Sequence, residues 1–332
     1  MLSVKENLRE TLKKDGHPDR FVNMYEYMGL VSSPTSVVSA RPEYGKGRVV
    51  DSWGVTKEWP LGTPGAFPVH TEDLIVIKDV EHWQDYLKVP QASGFSNEIW
   101  DPLLKRAEEV KANGQFVAGF IAPGIFEKCH YLMEIQRFLM AFYEYPDELH
   151  DIVQVMVDWE MEVAEEICSK LHPDALFHHD DWGSQQSTFI SPAMFEDYFV
   201  EGYKQVYGYY HDHGVEIVVH HSDSYAATLV PSMIEMGIDI WQGVMDTNNI
   251  PELLEKYRGQ IAFQGGINNA WLDNADWNID TIKEVVKREL DKYEPHGIIP
   301  SLTMGGPNTV YPEVYDLVSE EIRKYNKERF CV

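Results

Sequence analysis

ALFHHDDWGSQQSTFISPAMFEDYFVEGYKQVYGYYHDHGVEIVVHH, residues 175–221, shows one repeat of the fold in readable form. ALFHHDD (175–181) is a short apolar run ending in ionisable residues, which predicts a buried strand with polar groups at its carboxyl end. Ser191 followed by Pro192 is an N-cap and first-turn pair, and the helix behind it runs to His213, where Gly214 stops it. VEIVVHH (215–221) is a second strand of the same kind, again ending in histidines. Strand, helix, strand in this order is the unit of a parallel sheet.

Working outward, the same unit recurs. Downstream come a helix at 225–236, a strand at 237–244, a helix at 251–257, a strand at 260–266, a helix at 279–293, a strand at 297–303 and a closing helix at 311–327. Upstream, QFVAGFI (115–121) reads as a strand and 126–143 as a helix. Residues 147–171 follow as a second helix, with Ile152, Met156, Trp159, Val163 and Ile167 on one stripe. Six strand–helix units are thus in sequence. RFVNMYEYMGL (20–30) supplies another strand, and short β-type runs at 47–51 and 53–59 offer the eighth. Eight units imply a closed (β/α)8 TIM barrel in the α/β class. An open doubly wound sheet is disfavoured, because neither GxGxxG nor GxxxxGK[ST] follows any strand. The chain, residues 1–332, reads as one barrel domain. Residues 1–19 form an N-terminal helical extension, opened by the capping box Ser3 and Glu6 and ending near Gly16. Residues 40–70 form a hairpin-like insertion, and two short helices are expected near 79–87 and 97–112.

Composition narrows the function. The chain has 332 residues, 28 Lys and Arg against 54 Asp and Glu, and a net charge of −26. Such a surface repels phosphate backbones and anionic membranes, so no nucleic-acid or membrane partner is expected. Three cysteines without pairing or ligand spacing suggest a reducing compartment. MLSVKENLRE lacks the apolar core of a signal peptide, and the expectation is a cytoplasmic protein.

In a parallel barrel the chemistry sits at the carboxyl ends of the strands. That rule selects Tyr25, Glu26 and Tyr27 after the first strand, His178 to Gly183 after 175, and His220 to Asp223 after 215. Gln242, Gln264 and Asn268 follow the next two strands, and Thr303, Met304 and Gly305 the last. Parity divides the histidines. Val215, Ile217, Val219 and His221 share one face, so His221 is the one expected in the lumen, and His220 is wedged between barrel and helix. The two faces of 175–181 are equally mixed, which prefers Asp181 to Asp180 only weakly and leaves His178 and His179 as supporting or core residues. The catalytic candidates are His221, Asp181, Asp223 and Glu26, groups able to supply or relay a proton. Tyr25, Tyr27, Asp180, Trp182, Gln242, Gln264 and Met304 are the substrate-binding candidates.

The run from Asp180 to Ser224, with its Asp-Asp-x-Gly segment, its Ser191-Pro192 helix start and its His221-Ser222-Asp223 strand end, resembles the uroporphyrinogen decarboxylase-like superfamily. GFIAPGIF (119–126) and FQGGIN (263–268) add to the likeness, which implies the same barrel. True decarboxylases of that superfamily share an early Arg-Gln-x-Gly-Arg motif that binds porphyrinogen carboxylates. The matching place here reads NMYEYMG (23–29), with Glu26 and no arginine. The other branch, to which WGVTKEWPLGTPGAFPVH (53–70) is also similar, is the corrinoid-dependent methyltransferases. This branch implies transfer of a methyl group from a small methylated donor, a methoxylated aromatic or a methylated amine, to the cobalt of a corrinoid (cobalamin). That corrinoid rides on a separate corrinoid protein, because the Asp-x-His-x-x-Gly attachment motif does not occur here. Thiol-activating members carry zinc on His-x-Cys plus a later Cys. Here Asp223 replaces the first cysteine and SLTMGG (301–306) holds none, so zinc is not indicated, and if a metal binds, His221 and Asp223 are its expected ligands. A homodimer is compatible with this reading. The alternatives are a decarboxylase or a metal-dependent lyase or hydrolase on the same barrel, or a non-catalytic ligand-binding relative.

Overall fold

Apolar runs bounded by Gly and by ionisable clusters become seven parallel strands. They are β1 (Met28–Ser32), β5 (Phe116–Ile121), β6 (Ala175–His179), β7 (Ile217–His221), β8 (Ile240–Val244), β9 (Ala262–Ile267) and β10 (Ile298–Leu302). In this computed structural model, which describes residues 1–63, 65–304 and 311–332, each strand pairs in parallel with the next in chain order, from β1–β5 through to β9–β10. Gly305 and the end of SLTMGG lie outside the described residues.

The sheet curls round an apolar interior. Met28, Phe116, Ala118, Ala175, Phe177, Ile217, Val219, Ile240, Ala262 and Ile299 fill it, one parity set from each strand. Leu8 joins them from the helix Val4–Leu12, whose N-terminus is the Ser3–Glu6 capping box and which stops short of Gly16. The opposite parity set faces the surrounding helices. The longest of these, Pro146–Leu171, buries Ile152, Met156, Trp159, Val163 and Ile167 along the expected stripe. The architecture is therefore TIM-barrel-like, α/β with helices outside a curled parallel sheet. Among the described residues no helix is long and apolar enough to cross a membrane.

Four expectations need correction. The first strand is Met28–Ser32, not 20–30. Phe21, Val22 and Met24 are buried as the pattern requires, but in irregular chain. The Asn326 side chain accepts from Phe21 N–H at 3.1 Å and donates to Phe21 C=O at 2.9 Å, giving that backbone the partners a neighbouring strand would have given. Second, the runs at 47–51 and 53–59 do not enter the barrel. They make β2 (Arg48–Val50) and β3 (Thr56–Glu58), which with β4 (Phe67–Pro68) form a separate antiparallel sheet. The parallel sheet thus has seven strands among the described residues, not eight. Third, 79–87 contains only a 3-10 turn at Trp83–Asp85. Fourth, 126–143 is two helices, Ile125–Met133 and Ile135–Glu144, broken at Glu134. That residue has φ +73° and caps the second helix with its own carboxylate.

Candidate active site

Strand register builds the site. His179 on β6 lies opposite His221 on β7, and His221 lies opposite Gln242 on β8, which in turn faces Gln264 on β9. All four belong to the inward parity set, so they form one row across the interior near the carboxyl ends of the strands. The rings of His179 and His221 stack with centroids 4.3 Å apart. His178 and His220, one residue earlier, face outward and are fully buried behind the sheet.

Gln242 settles the orientation of His221. Its Nε2 donates to the Thr303 carbonyl at 3.3 Å, which turns its Oε1 toward His221 Nδ1. His221 Nδ1 is therefore a donor, and Nε2 is turned toward Asp181 Oδ1, 3.9 Å away. Asp181 also lies 3.6 Å from His179 Nε2 and accepts from Asp223 N–H at 3.0 Å. The structure thus brings His221, Asp181 and Asp223 together, with His179 as a further member.

Glu127 belongs to the same cluster and was not found from sequence. It is buried, its Oε2 has no hydrogen-bond partner, and that atom lies 3.4 Å from His179 Nε2. Tyr131 OH donates to its other oxygen at 3.1 Å. Burial, then repulsion from Asp181 and Asp180, holds the Glu127 carboxyl well above the usual carboxylate range. Burial and the neighbouring Asp181 likewise push Asp223 up to about 7. His179 is pushed well below the usual imidazole range by burial and by His221.

The other candidates are placed differently. Glu26 precedes β1, so it lies at the amino end of the strands, away from His221, where its Oε1 accepts from Asn23 N–H at 2.9 Å. Its proposed place at a strand's carboxyl end fails because β1 begins two residues after it. Tyr27 starts from that same end, but its hydroxyl donates to Gln264 at 2.7 Å inside the interior. The Tyr25 ring lies 6.3 Å from that of Phe177. Asp180 is buried behind β6, accepting from Phe126 and Glu127 N–H at 2.8 Å each and from Tyr203 OH. Burial raises its carboxyl to about 6. Trp182 is fully buried and stacks on His220 at 3.8 Å. Asp180 and Trp182 therefore shape the site from outside rather than touching its interior. Met304 is half-buried, its N–H donating to Asn269 Oδ1 at 2.9 Å.

A cavity of about 610 Å³ adjoins this cluster. His179 and Glu127 contribute to its wall with Phe120, and residues of the small sheet and its loops, Trp53, Lys57 and Trp59, line it from the other side. Lys57 pairs with Asp51 at 2.8 Å and stands over the Tyr131 ring. Lys128 pairs with Glu160 and stands over the Trp159 ring. Arg41, also in the wall, makes no ion pair among the described residues.

A thiolate zinc centre does not fit here. Cys129 and Cys168 are buried within outer helices, Cys331 is exposed after the last helix, and Asp223 stands in the first cysteine's place. The donor atoms that do converge, within 4.8 Å of one another, belong to His179, Asp181 and His221, and Asp223 is not among them.

The raised Asp223 carboxyl predicts a pH effect on stability. The folded chain keeps this proton up to about pH 7, whereas the unfolded chain releases it near its ordinary value of 3.8. The unfolded state then binds fewer protons across that window, so stability falls as pH rises through it. Asp223→Asn has no proton to lose and should flatten this decline by on the order of 2 kcal/mol. Urea midpoints at pH 5 and pH 8 measure it. An equal decline in variant and wild type contradicts the placement of this carboxyl.

Comparison with known proteins agrees with the fold. A methyltransferase from Methanosarcina mazei superposes with a TM-score of 0.64 at 13% identity, covering 98% of this chain and 99% of that one. A D-allulose 3-epimerase from Methylomonas sp. gives only 0.35 at 10% identity, over 71% of this chain and 93% of that one. No curated protein matches the sequence. The uroporphyrinogen decarboxylase (URO-D) family matches residues 60–325, well over half of the chain, and the barrel and its carboxyl-end site lie largely within that span. On that match the chain belongs to the uroporphyrinogen decarboxylase (URO-D) family.

Proposed function

We propose that the protein is a methyltransferase that takes a methyl group from a small methoxylated aromatic and passes it to the cobalt of a corrinoid carried by a separate protein. The observation that carries this reading is the convergence of His221, Asp181 and Asp223 beside an aromatic-walled cavity of about 610 Å³. The methyltransferase from Methanosarcina mazei that shares the fold over its whole length supports it.

Breaking an O–CH3 bond sends the methyl carbon to an acceptor that supplies the electron pair, and the leaving oxygen needs a proton because a bare phenoxide leaves badly. Asp223, whose carboxyl is raised to about 7, is the acid at hand, with Asp181 accepting from its N–H beside it. His221, pinned by Gln242, can relay a proton through Nε2. The corrinoid protein is a partner docking over the open mouth, since the chain lacks the attachment motif.

Two observations select among the readings. A methylated ammonium donor needs free aromatic faces and carboxylates, yet the faces of Tyr131 and Trp159 are already covered by Lys57 and Lys128. This favours an O-methyl over an N-methyl donor. A porphyrinogen bearing many carboxylates needs several free cations. NMYEYMG lies at the amino end of β1, so the residues to compare are those after it, where the cavity wall holds Lys57 and Lys128, both in ion pairs, and Arg41, which makes none among the described residues. One guanidinium suits a monoanionic ligand better than a polyanionic one.

Mixing the protein with a reduced corrinoid protein and a panel of methylated donors should change the corrinoid absorbance with methoxylated aromatics and leave it unchanged with methylated amines. Carbon dioxide release from an acid substrate, with no corrinoid change for any donor, would overturn the reading.

A further inference from the structure

Charge is distributed unevenly round the cavity. The segment 33–42, SPTSVVSARP, has Arg41 as its one ionisable residue, in a chain of net charge −26. Ser33, Thr35, Ser36, Ser39 and Arg41 from this segment all line the cavity. The hydroxyls of Ser33, Thr35 and Ser36 are occupied with one another, and Ser39 Oγ accepts from Ser52 N–H at 3.1 Å. Two other cations of the wall are spent as well, Lys57 on Asp51 and Lys128 on Glu160. Arg41 is exposed to the cavity and makes neither an ion pair nor a side-chain hydrogen bond among the described residues. The strand-end wall has the opposite character, with Glu127 3.4 Å from His179, and Asp181 3.6 Å from the same ring.

We propose that Arg41 binds a carboxylate on the substrate, so that the cavity selects an aromatic acid over a neutral aromatic of the same shape. A protein this acidic repels anions at long range, so holding one requires a local cation with no internal competitor. Arg41 meets that requirement, and Lys57 and Lys128 do not. Its planar fork of donors matches a carboxylate with two parallel hydrogen bonds. Trp53, Trp59 and Phe120 supply apolar wall for the ring between the two ends. Trp53 is itself braced, edge-on to Trp159 with centroids 5.1 Å apart.

The uneven charge also sets the orientation. The acids at the strand ends repel a carboxylate and Arg41 attracts it, so the acid group goes to the loop side and the rest of the ring toward His179. A ring carrying an ether at its far end then presents that ether to the strand-end cluster, and only this step rests on the methyl-transfer reading. Demethylation leaves the carboxylate untouched, so the phenolic acid product keeps the Arg41 contact and competes with the substrate.

The test is a binding measurement that needs neither corrinoid nor turnover, so its failure and that of the methyl-transfer reading are separate. Full-length protein is titrated calorimetrically with para-methoxybenzoate and with para-methoxybenzyl alcohol, its neutral counterpart. The wild type should bind the acid at least about tenfold more tightly than the alcohol. Arg41→Met, which keeps the stem and removes the charge, should weaken the acid by about the same factor and leave the alcohol unchanged. Arg41→Lys should recover part of the loss, since it restores the charge without the fork. Circular dichroism confirms that each variant is folded. Failure of the wild type to bind the acid, equal affinity for acid and alcohol, or undiminished acid binding by Arg41→Met overturns the proposal.

Discussion

His221→Ala should reduce methyl transfer by roughly 10²–10⁴-fold, the range that a positioned acid–base group contributes. His221 ends β7 on its inward face, stacks on His179, and has its Nδ1 committed to Gln242, so its Nε2 is held toward Asp181. Alanine removes that nitrogen and leaves the Asp181 and Asp223 carboxyls without it. The measurement is the single-turnover rate of corrinoid methylation with a saturating methoxylated aromatic. Gln242→Leu is the companion variant. It keeps the imidazole but frees its orientation, and should lose less rate than His221→Ala while altering the pH profile. If His221→Ala retains the wild-type rate, the proton path does not run through this residue and the reading of the mouth is wrong.

How far the sequence reaches can be judged from two strands. Along 215–221, which ends in β7, the alternation is clean, so Val215, Ile217 and Val219 place His221 in the interior without further help. On β6 the alternation is weak, because Ala175, Leu176 and Phe177 are apolar on both faces, as strands buried on both sides are. Only the register His179↔His221 shows that His179 points inward. That register was available indirectly: both strands end His-His and continue to an acid, and aligning the two ends pairs the second histidines. Glu127 carried no such signal. It lies in the first turn of a helix, where an acidic residue is ordinary, and its role depends on a long-range contact with β6. Glu26 failed for the opposite reason. Burial of Phe21 and Val22 mimicked a strand, while the backbone there is satisfied by Asn326, some three hundred residues away. Hydrophobic burial is legible locally, but the partner of a backbone hydrogen bond is not.

Lys128→Met should destabilise the fold by about 3–5 kcal/mol, a large share of the roughly 5–15 kcal/mol that holds a domain together. Lys128 and Glu160 are each 3% exposed and paired behind β6. Glu160 also accepts from His178 Nε2 at 3.0 Å. Beyond it, Tyr207 OH bridges His178 Nδ1 at 3.1 Å and His220 Nδ1 at 2.9 Å, and His220 Nε2 donates to the Asp180 carbonyl at 3.1 Å. Since His220 spends its hydrogen on that carbonyl, Tyr207 donates to His220 Nδ1. Burial alone would raise the Glu160 carboxyl, but Lys128 and His178 outweigh it and hold it down to about 2. A folded value below the ordinary 4.5 means that this stabilisation is present above about pH 4.5 and fades as pH falls toward 2. Methionine in place of Lys128 leaves a buried carboxylate facing His178 alone. Its folded value should rise, and the acid limb of the stability curve should move to higher pH. Urea unfolding of Lys128→Met, Glu160→Gln and the double variant measures the coupling. The double variant should recover part of the loss, because it leaves no unpaired charge in the wall. Strict additivity of the two single variants would show that Lys128 and Glu160 do not act as a pair, and the support they give to the His178–His220 wall would have to come from packing alone.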